Sequence, residues 1–118
     1  MTDRTLTTTR RRHPAGATVV AVTGELDHHT ARELTQAIEE TPFGSDAPVV
    51  IDLTGLTYCD STGITVLVAA YNRARQADAQ LVLVGLNADL TRVFRIVGLD
   101  QLFSFQPTVE HAISALHP

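Results

Sequence analysis

A chain of 118 residues can bury one hydrophobic core but not a second one around a separate substrate cleft, so one domain with one working surface is expected. Its hydrophobic content is 44%, without Trp and with only 5% aromatics, which points to a core of Val, Leu, Ile and Ala. A net charge of −4, with all nine basic residues Arg, excludes the dense positive field by which proteins hold nucleic acids or anionic membranes.

The opening Met1-Thr-Asp-Arg-Thr5 lacks the basic and apolar regions of a secretory signal, and no apolar run approaches a membrane span, so the expected location is the cytoplasm. Thr5 to Arg12 is a weak, polar strand, and about residues 1–15 form an edge strand and turn. Arg10, Arg11 and Arg12 are the only basic run and read as an exposed edge rather than a binding patch. His13-Pro-Ala-Gly16 is a turn into a second strand, Thr18 to Thr23, and the two strands should pair as a hairpin. Gly24-Glu-Leu-Asp27 ends that strand. Thr30-Ala-Arg-Glu33 has the form of a capping box, predicting a helix to about Glu40 with Ala31, Leu34 and Ile38 inward and Pro42 beyond its end.

Val49 to Leu53, bounded by Pro48 and Gly55, reads as a strand covered on both faces. Asp60 and Ser61 are both good N-caps for the next helix, whose apolar residues recur at Ile64, Leu67, Val68 and Tyr71. Gln80 to Leu86 is a further buried strand. Asn87 caps a third helix with Leu90, Val93, Phe94 and Val97 inward, and Gly98 ends it. Phe103 to Phe105 makes a short last strand. Pro107 and Thr108 then open a helix with Val109, Ala112, Ile113 and Leu116 on one face. Strands alternating with helices after an initial hairpin give a single α/β domain with a mixed sheet and about four helices.

Familiar catalytic signatures are missing. The chain has no Gly-x-Ser-x-Gly elbow, no Gly-x-Gly-x-x-Gly or Walker loop, and Asp60-Ser-Thr-Gly63 carries one residue more than the Asp-Thr-Gly of aspartic proteases. Cys59 is the sole cysteine, which rules out an internal disulfide and a CxxC metal pair. It reads as a small, partly buried residue. His28 and His29, being adjacent, cannot grip one ion from the face of a regular element, and they read as solvent-facing loop residues. Asp27 admits two readings: a group at the carboxyl end of a strand, where open α/β sheets bind ligands, or a cap for the helix that follows. Ser61 likewise is either a cap or a hydroxyl delivered to a helix start, where free N–H groups and the helix dipole tolerate an attached phosphate.

Gly24-Glu-Leu-Asp-His-His-Thr-Ala31 and Thr57-Tyr-Cys-Asp-Ser-Thr-Gly-Ile64 resemble the two signature loops of STAS domains of the anti-sigma factor antagonist type, and Val97-Gly-Leu-Asp-Gln-Leu-Phe103 resembles that family's third helix and exit. The likeness runs from about Thr18 to Leu116 and makes residues 1–118 a single STAS domain. It implies a regulatory binding protein, without enzymatic activity, cofactor or metal, that binds an anti-sigma factor serine kinase and so releases a sigma factor. It further implies that the kinase inactivates the protein by phosphorylating Ser61, that a serine phosphatase resets it, and that Asp27, Asp60, Ser61, Thr62 and Gly63 form the partner surface. Neither nucleic acid nor membrane is an implied partner. Thr62, Cys59 and Thr65 stand where a second serine, an apolar residue and a glycine are frequent in the family; Thr62 leaves a second hydroxyl beside Ser61. The alternatives are a STAS binding module in a stress-signalling or lipid-transport assembly and, from another class, a small hydrolase using Ser61 with a histidine.

Overall fold

A hairpin opens the sheet. In a computed structural model, which describes residues 5–116, β1 (Leu6–Arg12) pairs antiparallel with β2 (Thr18–Leu26), from Leu6 opposite Gly24 to Arg12 opposite Thr18. The sequence reading of Met1 to Arg4 lies outside the described residues. The chain continues as α1 (Ala31–Glu39), β3 (Val49–Cys59), α2 (Ser61–Gln76), β4 (Leu81–Val84), α3 (Ala88–Ile96), one 3-10 turn (Leu99–Gln101), β5 (Ser104–Gln106) and α4 (Val109–Leu116). The five strands lie in the order β1-β2-β3-β4-β5, and every pair after the hairpin is parallel. This is the single α/β domain with a mixed sheet and four helices that the sequence predicts.

Strand alternation sorts the core onto the two faces of the sheet. Val20, Val22, Val49, Ile51, Leu53 and Leu83 point to the larger core, with Leu34 and Ile38 of α1, Leu67 and Ala70 of α2, and Leu90 and Phe94 of α3. Val19, Val50, Val82 and Val84 point the other way, under Ala112 and Ile113 of α4. Burial on both faces is why these strands read as continuous apolar runs instead of alternating ones. Arg10, Arg11 and Arg12 are exposed on β1, a sheet edge, as expected. Among the described residues no helix is long and apolar enough to cross a membrane.

Several boundaries and faces differ from the sequence reading. β2 and β3 continue past Thr23 and Leu53 to Leu26 and Cys59, through two register shifts between them. Gly55 does not end β3; it lies within it, where a Cβ would stand 2.6 Å from Thr23 Oγ1, so glycine allows the two strands to approach. β4 is confined to Leu81–Val84. On α2 the buried line is Gly63, Leu67, Ala70 and Ala74, with Ile64, Val68 and Tyr71 packed half-buried beside it. On α3 only Leu90 and Phe94 are buried. Val93 and the C-cap Val97, expected inward, are exposed, and Ile96 is 75% exposed; Leu90 and Phe94 carry the buried side of this helix.

Candidate functional site

The parallel strands β2 and β3 finish side by side, with Leu26 opposite Cys59, and the Asp60 N–H donates to the Leu26 carbonyl at 3.1 Å. The register brings two loops, Asp27 to Thr30 and the Asp60–Ser61 corner, to the carboxyl end of the sheet, where α/β sheets present their ligand-facing groups.

In the first loop Asp27 is 1% exposed. Its Oδ1 accepts the N–H groups of His29 at 2.8 Å and Thr30 at 3.1 Å, and its carbonyl accepts from Ala31 at 2.8 Å. Thr30 holds the N-cap position of α1 but its side chain does not cap. Its hydroxyl donates to the Glu25 carbonyl at 2.7 Å and accepts the Asp27 N–H at 3.0 Å. The predicted capping box is therefore absent: the Glu33 N–H goes to the Thr30 carbonyl, and the carboxylate that fastens the start of α1 is Asp27.

In the second loop Asp60 is extended, with φ −96° and ψ −175°, and its Oδ1 accepts the Gly63 N–H at 3.0 Å. Asp60 is thus the cap and Ser61 the first helical residue. Ser61 is exposed, and its hydroxyl makes no hydrogen bond to the described residues. The Ser61 carbonyl accepts from Thr65 Oγ1 at 3.0 Å, so the Thr65 side chain is folded back onto the helix. Thr62 is half-buried. Gly63 is buried, and a Cβ there would lie 2.6 Å from Leu26 Cγ and 2.9 Å from Cys59 Sγ; glycine lets α2 sit directly on the strand ends.

The cross-loop contact is made by histidine. His28 Nδ1 lies 3.8 Å from Asp60 Oδ2, and the His28 and His29 ring centroids are 3.9 Å apart. Both imidazoles are solvent-facing, as the sequence predicts, but nothing in a linear reading signals that one of them reaches the α2 cap. Cys59 is 9% exposed; burial first, and the adjacent Asp60 charge second, push its thiol up to about 12, so it stays protonated and unreactive at neutral pH. Among the described residues no group of His, Cys, Asp and Glu is arranged to hold a metal ion.

Residues 9–106 match the family described as Mlab, STAS domain. The chain belongs to the STAS family. An anti-sigma-B factor antagonist from Listeria monocytogenes is 38% identical to this STAS domain over 87 residues, 74% of this chain and 76% of that protein. An anti-sigma F factor antagonist from Paenibacillus polymyxa is 27% identical over 105 residues, 88% of this chain and 87% of its own. The crystal structure of an anti-sigma factor antagonist from Mycobacterium paratuberculosis superposes with a TM-score of 0.83 at 30% identity, covering 97% of this chain and 96% of that one.

The five residues expected as one partner surface of the STAS domain fall into layers. Ser61 is on the outside, Asp60 and Thr62 are half-buried, and Asp27 and Gly63 are buried. Asp27 fastens its loop through the His29 and Thr30 N–H groups, and Gly63 makes room for α2 on the strand ends. The hydrolase alternative requires a base within hydrogen-bond reach of Ser61; among the described residues His28 faces Asp60 instead.

Proposed function

We propose that the unphosphorylated STAS domain binds, in the cytoplasm, an anti-sigma factor that is also a serine kinase, so releasing a sigma factor, and that phosphorylation of Ser61 ends the binding. The observation that carries this reading is the exposed, unbonded Ser61 hydroxyl at the first position of α2, where Asp60 already supplies the cap. The names of the relatives, anti-sigma factor antagonists, supply the class of partner. Asp27 contributes by fixing the backbone of the loop beside Ser61, and a serine phosphatase restores the binding form. Catalysis belongs to the partners.

Physical chemistry accounts for a switch at this position. A phosphate adds about −1.5 to −2 charges. The start of α2 favours negative charge by about 0.3 to 2 kcal/mol, so the fold survives. An unmatched charge buried in a protein interface costs several kcal/mol. At 1.4 kcal/mol per tenfold in affinity, a loss of about 3 to 4 kcal/mol weakens the complex by roughly two to three orders of magnitude.

The test has two parts. Phosphopeptide mapping after reaction with a co-purified kinase and ATP is expected to place the phosphate on Ser61; label surviving Ser61→Ala but lost in Thr62→Ala would move it to Thr62. Titration calorimetry against the same kinase should rank Ser61→Ala at or near the wild type, Ser61→Asp weaker and the phosphorylated chain weakest, since a carboxylate carries one charge against about two. Equal affinity of phosphorylated and unmodified chains would favour the assembly-module alternative.

A further inference from the structure

The two carboxylate oxygens of Asp60 do different things. Oδ1 closes the first turn of α2 on the Gly63 N–H, while Oδ2 faces His28 Nδ1 from the neighbouring loop. The Asp60 side chain is 24% exposed and that of His28 is 68% exposed, so the carboxylate is partly enclosed and the imidazole stands largely in solvent.

A phosphoryl group on Ser61 would place nearly two negative charges one residue from this carboxylate. Asp60 cannot retreat without stripping the buried Gly63 N–H of its acceptor. Imidazole is the side chain that gains a proton in the neutral range, and His28 is already placed against Asp60. We propose that His28 is the counter-ion of the modified corner: when Ser61 is phosphorylated, its imidazole takes a proton from solvent, offsets the paired anions and keeps Asp60 on the Gly63 N–H. This deepens the reading of Ser61 as the modified residue, and rests on it. His28 acts through Asp60, as a positioning residue.

The groups around His28 fit this role. His29 packs against it from the same loop, Asp60 faces it from the start of α2, and Asp27 lies at the base of the loop with Oδ1 turned to the backbone. Glu25 and Tyr58 lie in register further up β2 and β3, and Cys59 below the corner is a neutral thiol. The His29 ring lies 3.9 Å from that of His28, centroid to centroid, so it is the neighbouring group whose substitution the test must include.

Phosphoserine placed at position 61 during translation gives the modified chain without any kinase. Hydrogen exchange of the Gly63 amide is then followed by NMR at pH 6 and pH 8, as protection factors, in modified and unmodified chains with and without His28→Gln. Unmodified chains should protect Gly63 equally at both pH values. In the modified wild type, protection should hold at pH 6 and fall roughly fivefold at pH 8, the size of effect of a lost side-chain cap. Modified His28→Gln should fall below the modified wild type at pH 6 and match it at pH 8. The phosphate also titrates near pH 6, but His28→Gln retains that titration and so isolates the histidine. Equal protection in modified wild type and modified His28→Gln at pH 6 would overturn the proposal, as would a pH profile abolished by His29→Gln alone. A kinase that ignores Ser61 would refute the switch and leave this measurement standing.

Discussion

Asp60 and Ser61 divide between them two tasks that a helix start can give to one residue. Asp60 holds the Gly63 N–H, and Ser61 keeps a hydroxyl with no structural duty among the described residues. Asp60→Ala is therefore expected to cost about 0.5 to 2 kcal/mol of stability, as lost N-caps do, while Ser61→Ala stays within about 0.5 kcal/mol. Urea denaturation of the two variants measures this, and the reverse order would make Ser61 the cap. At this scale the residue types were legible in the sequence but their partners were not. Both Asp60 and Ser61 qualify as caps by chemistry, and only the extended Asp60 backbone decides between them. The Thr30–Glu33 spacing has the form of a capping box, yet the Thr30 hydroxyl is taken by Glu25 and Asp27, contacts created by the loop's own path.

Helix α2 depends on a close approach as well as on its apolar stripe. A methyl group at Gly63 would press on Leu26 and Cys59, the last residues of the two strands that carry the corner. Alanine is the better helix former by about 1 kcal/mol, but overpacking of this kind costs about 1 to 3 kcal/mol. Gly63→Ala is expected to lower the melting temperature despite its higher helix propensity; a rise would show that α2 has room to lift away from Leu26. The sequence made the existence and order of the elements plain, because hydrophobic period and turn residues are local. It was misleading where a neighbouring element decides: Gly55 looks like a strand end but lies within β3 against Thr23, and Val93 and Val97 fit an inward stripe that α3 does not bury.

The whole molecule separates what holds it together from what it presents. Ala112 and Ile113 of α4 pack on one face of the sheet, while α2 and its Ser61 corner belong to the other. Ile113→Ala is expected to cost about 2 to 5 kcal/mol, since α4 alone among the helices contributes to the smaller cluster. Partner affinity measured below the unfolding range should remain at the wild-type value, and a parallel loss of affinity would mean that the two faces are coupled. The layout follows from the strand order; the alternation of strands and helices foretold the mixed sheet but not that order. The meeting of His28 with Asp60 joins two loops that are distant in sequence, and no local pattern announces it. The hairpin turn has a practical consequence. Pro14 and Ala15 are exposed at the start of β2, while the Ser61 corner lies beyond its end, one nine-residue strand away. At about 3.3 Å per residue this is about 30 Å, so a fluorophore or immobilisation tether attached at that turn leaves the opposite pole of the domain open to its visitors.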